Sequence, residues 1–279
     1  MIRVLDLKYG RSGDQGQSFK MALDLSSQTQ SVYYKSLAAG TLCDPYLTMV
    51  LVSMLVPGDT FVDIGAHIGY FPLLAIQMIG ETGRVLAFEP NPAAFRGLTT
   101  NIILNRATNV HAFNCALSDR AGTATLHVHG DNEGLSTLHP VASDSGDGYR
   151  PITVMTETLD SFCELIRSLR VRMIKIDVEG HEQQVIAGGL RFIDEAKPDF
   201  IVFEVNNHIN GKPNKANGED FAIRRLLHER GYHAYLIRHW PDNDETSRAF
   251  GDQMLIEIKP EWRLKISYGN ILMSRQAIG

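Results

Sequence analysis

The chain has 279 residues, 44% of them hydrophobic, a net charge of −5 and no run of three Lys or Arg. This is enough apolar material for a full core, so a disordered chain is excluded; the lack of a basic run argues against nucleic acid, since phosphate binding needs a basic face. Cys43, Cys115 and Cys163 are odd in number, far apart and without a C-x-x-C pair, which points to small buried hydrophobes in a reducing compartment and not to a disulfide framework.

Residues 1–40 carry charges from Arg3 onward and no apolar h-region, so no secretory signal is expected and the protein reads as cytoplasmic. Period-2 patches at residues 21–25 and 32–34 predict a β-rich N-terminal extension, with a second unit spanning 41–279. Asp44-Pro45 is an N-cap followed by Pro at N1, starting a helix that should run to Val56 and stop at Pro57-Gly58. The apolar run at 46–56 is too short to span a bilayer.

Strands then fit at 60–64, 84–88, 110–115, 171–177, 200–205 and 232–238, alternating with helices at 69–79, 92–105, 182–188 and 219–229. Such alternation predicts an α/β fold with a mostly parallel, doubly wound sheet. Residues 120–160 interrupt the pattern with a β-hairpin arm, formed by 124–129 and 152–156 around a polar loop. Two further strands are expected near 253–258 and 270–274.

The block TFVDIGAHIGY at 60–70 reads as a strand ending on Asp63, a turn through Gly65, Ala66, His67 and Gly69, and a helix. It lacks the G-x-G-x-x-G spacing that cradles a pyrophosphate. An acidic strand end with a glycine-rich turn suits S-adenosylmethionine (SAM), which brings an ammonium, a sulfonium and a ribose. His67 stands where glycine is usual, and His is among the side chains that tolerate positive φ. Twenty residues after Gly69 a second strand ends at Glu89-Pro90, placing a carboxylate for the ribose hydroxyls. The third strand runs into Ala116, Ser118 and Asp119, expected beside the adenine.

The blocks DIGAHIGY (63–70), AFEPN (87–91), ALSD (116–119), GLSTL (134–138), TLD (158–160) and IKIDVEGHE (174–182) resemble, in order, those of FkbM-type SAM-dependent methyltransferases. The similarity covers roughly residues 42–238; His67 and Pro72 depart from the family's usual Asn and Thr. The resemblance implies a Rossmann-like class I methyltransferase fold and transfer of a methyl group to a hydroxyl of a sugar, glycolipid or polyketide-like natural product. It leaves residues 1–40 and 240–268 as the expected determinants of substrate. The implied partner is a small-molecule or glycan acceptor.

Strand 171–177 should neighbour strand 60–64, where the sheet order reverses, which sets Asp177 beside the cofactor. His181 is the candidate general base because its ordinary pKa is nearest neutrality, with Asp177 or Glu179 orienting it or binding the acceptor hydroxyl. A rival arrangement is a Mg²⁺ or Ca²⁺ site built from Asp177, Glu179, Glu204, Asn206 and His208, loosely like catechol-type enzymes; a metal is not the favoured expectation. His127, His129 and His139 lack the partners for a zinc site, and residues 240–245 read as surface or lid. A silent SAM-binding scaffold and a nicotinamide oxidoreductase are the other open readings.

Overall fold

A computed structural model describes residues 1–9, 17–130, 132–140, 148–206, 208–209, 212–213, 219–238, 253–262, 264 and 268–278. The chain begins with a hairpin, β1 (Ile2–Tyr9) and β2 (Gln17–Asp24), then α1 (Gln28–Ala38) and α2 (Pro45–Met54). The alternating part follows as β3 (Thr60–Ile64), α3 (Tyr70–Ile79), β4 (Arg84–Phe88), α4 (Pro92–Leu104), β5 (Val110–Phe113) and β6 (Ala116–Leu117). The arm is β7 (Gly122–His129) and β8 (Tyr149–Glu157). Then come α5 (Cys163–Ile166), β9 (Val171–Ile176), α6 (Glu182–Ala187), α7 (Leu190–Ala196), β10 (Phe200–Asn206), β11 (His208–Ile209) and β12 (Lys212–Pro213). The chain closes with α8 (Glu219–His228), β13 (His233–Ile237), β14 (Leu255–Ile258) and β15 (Tyr268–Ser274).

The main sheet has the order β14-β13-β15-β10-β9-β3-β4-β5. Pairings β10–β9, β9–β3, β3–β4 and β4–β5 are parallel, whereas β15 is antiparallel to both its neighbours. The chain leaves β3 toward β4 and returns on the other side as β9, so the crevice between the carboxyl ends of β3 and β9 is a topological switch point. One apolar cluster fills each face: Ile64, Phe88, Ile176 and Phe203 with α6 to α8, and Phe61, Leu73, Leu98 and Met173 with α2 to α4. The arm forms a separate small sheet of order β6-β8-β7.

The N-terminal hairpin is present, with Phe19, Met21 and Leu23 of β2 buried in alternation against the core. Its outer edge is met by side chains of α4. Asn101 bonds both the N–H and the C=O of Ala22 (2.7 and 3.3 Å), and Asn105 does the same at Lys20 (2.7 and 2.7 Å). The expected strand at 32–34 is instead part of α1. Ser27 caps that helix by accepting from Gln30, and the buried pair Gln30 and Leu37, seven apart, marks a helical face. Three consecutive apolar residues fit either period, and the cap decides between them. The helix expected to reach Val56 stops at Met54, because Leu55 is extended and Asp59 takes the Val56 N–H at 2.9 Å. The strand expected at 110–115 ends at Phe113, since Ala116–Leu117 turns away to pair with β8.

Candidate active site

Gly65 (φ 85°) and His67 (φ 49°) carry the chain off β3 in the left-handed region. A side chain at Gly65 is impossible for a second reason: a Cβ there would lie 1.8 Å from the Asp177 carbonyl oxygen. The close approach of these two backbones is what brings the β3 turn and the β9 turn into one crevice. Gly69 (φ 94°) caps α3, packed on Leu98.

Glu89 is buried and fixed by backbone donors. Its Oε2 accepts from His67 N–H (2.9 Å) and its Oε1 from Asn91 N–H (2.8 Å). Burial pushes its carboxyl up, opposed by His67 and those two donors. The His67 ring edges Tyr33 and its Nε2 lies 3.4 Å from Glu133 Oε1, with neither ring nitrogen in hydrogen-bond geometry.

Asp63 is fully buried. Burial pushes it up to about 6, with the Lys175 ammonium opposing at 3.2 Å. Lys175 also bonds Asp177 at 3.2 Å. Burial disfavours its charge, but the two carboxylates outweigh burial and hold the ammonium above its usual range. A buried Lys between two acids is a paired charge, which loses several kcal/mol if one partner is removed, about 3–5 by analogy with other buried pairs.

Two cavities open here, of about 910 and 1140 Å³ including the space open to solvent. They share Tyr33, Gly65, His67, Asp177 and Tyr268 as lining, so they meet at the switch point. Phe88, Glu89, Pro90, Ala116, Leu117 and His181 belong to the first; Asp44, Ala66, Phe71 and Lys175 belong to the second. Asp177, Glu179 and Glu204 stand together on the wall of the first, each offering a carboxylate oxygen within 4.8 Å of the others. Burial, then the charges of Glu179, Asp177 and Glu182, drives the Glu204 carboxyl well above its ordinary value. Tyr268 hydrogen-bonds Glu204, and that acid is the main reason its phenol is also pushed up.

Of the residues expected to hold the cofactor, Gly65, Ala66, His67, Glu89, Pro90, Ala116 and Asp177 line the joined cavities. Asp63, Gly69, Ser118 and Asp119 do not. Asp63 sits behind the wall and acts through Lys175. Asp119 is turned to Arg120 (3.3 Å). Ser118 Oγ bonds His181 Nε2 at 2.9 Å. His181 therefore lines the first cavity with its ring tied to Ser118, and burial together with nearby His139 pushes its pKa down to about 4. The side chains of Asn206 and His208 and the segment 240–245 lie outside the described residues. His129 accepts from Asn132 N–H at 3.0 Å, and His139 is bonded to the Gly180 carbonyl; among the described residues the acidic trio is the only group spaced for a metal ion.

Lys175, Tyr33 and Tyr268 are site residues that sequence reading passes over. Lys175 carried a signal, a lone cation inside an apolar strand, which must be paired. Tyr33 and Tyr268 carried none, because they come from α1 and β15, distant in sequence from the motif blocks.

SAM fits this crevice. A carboxylate is held ready beside the first cavity, an ammonium–carboxylate pair lies at the second, and His67 lines both. A doubly wound sheet with such a switch-point crevice is that of a class I SAM-dependent methyltransferase. Residues 63–234 match the methyltransferase FkbM domain, and the chain belongs to that family. It is 32% identical over 195 residues (61% of this chain, 72% of the relative) to the 31-O-demethyl-FK506 methyltransferase FkbM of Streptomyces tacrolimicus. It is 31% identical over 193 residues (63% and 73%) to Methyltransferase 1 of Beauveria bassiana. It is 29% identical over 174 residues (56% and 68%) to the 2-O-methyltransferase NoeI of Sinorhizobium fredii. Among the described residues no helix is long and apolar enough to cross a membrane.

Proposed function

We propose that this enzyme methylates a hydroxyl group of a sugar or polyketide-like natural product. The observation that carries the reading is the carboxylate wall of Asp177, Glu179 and Glu204 in the first cavity, whose Asp177 also lines the second. Such a wall accepts hydrogen bonds from a hydroxyl and receives its proton. The printed names of the FkbM and NoeI relatives, one tied to position 31 of FK506 and one a 2-O-methyltransferase, support an oxygen acceptor.

When bound, SAM supplies a methyl group on a sulfonium, released as a neutral thioether while the acceptor oxygen takes the methyl. Glu89 would hold the ribose beside His67 and Pro90, Phe88 and Leu117 would offer the adenine apolar lining, and Lys175 with the turn at Gly65–Ala66 would take the methionine end. Asp177, lining both cavities, orients the acceptor hydroxyl. Positioning of this kind is worth about 7–11 kcal/mol when the geometry is near-attack. The proton-accepting role falls to this wall and not to His181, whose ring is held by Ser118 and whose low pKa makes it a weak base.

Tyr33 and Tyr268 lie outside the matched span 63–234 and flank the joint, so the N-terminal extension and the C-terminal strand select the acceptor. The test is methyl transfer from isotopically labelled SAM to matched alcohols, amines, thiols and carboxylic acids built on hexose, hexuronate and macrolide scaffolds. Label recovered as a methyl ether supports the reading; label confined to nitrogen, sulfur or ester products overturns it.

A further inference from the structure

We infer that Asp177, Glu179 and Glu204 form a binding site for one divalent, oxygen-seeking cation such as Mg²⁺. This deepens the reading of the same crevice as an O-methyltransferase site, since the ion would hold the acceptor oxygen and ease loss of its proton to a carboxylate oxygen of the trio that does not bind the ion.

The fold builds the trio deliberately. β9 and β10 are parallel neighbours with Phe203 opposite Ile176, so the next residues, Glu204 and Asp177, come alongside each other at the carboxyl end of the sheet. Glu179 follows two residues later, with φ 52°. The three side chains bring one oxygen each within 4.8 Å of one another. Ligands of a six-coordinate Mg²⁺ at about 2.0–2.1 Å stand roughly 3–4 Å apart, so closure needs a movement of about an ångström. Three protein ligands leave open positions for water and an acceptor hydroxyl.

A second observation points to a missing partner. Glu204 is only 5% exposed, yet its Oε2 has no hydrogen-bond partner. A buried carboxylate oxygen left unpaired is costly, and it faces a cavity wall that already carries two more carboxylates. The Lys175 ammonium, which bonds Asp177, is shared with Asp63. Hard oxygen donors without nitrogen or sulfur select Mg²⁺, Ca²⁺ or Mn²⁺ over zinc or copper.

The test uses the 279-residue chain, stripped with EDTA and free of SAM. Titration with MnCl₂, followed by electron paramagnetic resonance and calorimetry, should show one bound ion, displaced by excess Mg²⁺. Glu204→Gln should weaken Mn²⁺ binding at least tenfold. Glu179→Gln, at a partly exposed position, should do the same and serves if the first variant fails to fold. SAM binding by the EDTA-treated protein is measured alongside. A wild type that binds SAM, transfers methyl fully in EDTA and holds no Mn²⁺ overturns the ion and leaves the methyltransferase reading intact. Equal Mn²⁺ affinity in wild type and the folded Glu179→Gln and Glu204→Gln variants also overturns the site. Loss of SAM binding with Mn²⁺ binding preserved strikes the function and spares the ion.

Discussion

The two rims of the crevice treat their carboxylates in opposite ways. On the β4 side Glu89 has a backbone donor on each oxygen and a fixed orientation. On the β9–β10 side Asp177, Glu179 and Glu204 crowd together and push up the proton affinity of the most buried of them. The first arrangement suits a ligand that is the same in every turnover. The second holds electrostatic tension that a proton, a cation or a hydroxyl relieves, which suits the side where chemistry differs between relatives. A preorganised carboxylate suits the donor; a crowded set of carboxylates suits the acceptor.

The sharpest way to break this contrast is to remove the cation that stabilises the boundary. Lys175→Met should destabilise the fold by about 3–5 kcal/mol, because it leaves Asp63 buried beside Asp177 without a counter-charge. Chemical denaturation measures it, and a loss below 1 kcal/mol would mean that Asp63 is held neutral. Glu89→Ala should weaken SAM binding roughly 100-fold by calorimetry, the worth of two charge-assisted hydrogen bonds at about 1.5 kcal/mol each; an unchanged affinity would deny the satisfied rim its role. Asp177→Asn should lower kcat by about 10²-fold or more, with a much smaller change in KM for the acceptor. His181→Ala should leave both SAM affinity and kcat within a factor of about three, since its ring is tied to Ser118 and a pKa near 4 leaves it little pull on a hydroxyl proton. A hundredfold fall in kcat would restore it as the base.

The smallest effect is on stability against pH. Burial raises Glu182 to about 7 in the fold, above its unfolded value, and Glu204 is raised too. A raised folded pKa contributes stability that is present at low pH and lost as pH rises through it. Between pH 6.5 and 8 the melting temperature should therefore fall, by roughly 1–3 °C. Below pH 6.5 the lowered pKa of His181 opposes this fall, while Asp63, raised to about 6, adds to it. A melting temperature that climbs from pH 6.5 to 8 would contradict the crowded rim.

How much of this was legible in the sequence follows from how local each signal is. The strand ends at Asp63, Glu89 and Asp177, and the neighbouring of the strands that carry Asp63 and Asp177, rest on short blocks and on the reversal of sheet order, and the fold agrees. Whether Asp63 faces the ligand or the core is not local. It depends on Lys175, more than a hundred residues away, which turns the acid inward. The expectation of His181 as base rests on its ordinary pKa, a property of the residue and not of its place; burial and His139 lower that pKa, and Ser118 holds the ring. Tyr33 and Tyr268 reach the crevice only because α1 and β15 fold back over it, and no spacing in the sequence encodes that.

The amides of Asn101 and Asn105 have a consequence beyond holding the hairpin down. Four residues of helix rise about 6.0 Å and two residues of strand about 6.8 Å, so an N-x-x-x-N helix face nearly matches alternate peptides of a strand edge. In effect α4 impersonates a neighbouring strand. The free edge of β2 is thereby closed to strangers, which guards against sheet-to-sheet aggregation. It is also keyed, because sliding β2 by one residue would turn its peptides away from both amides and turn Phe19, Met21 and Leu23 out to water.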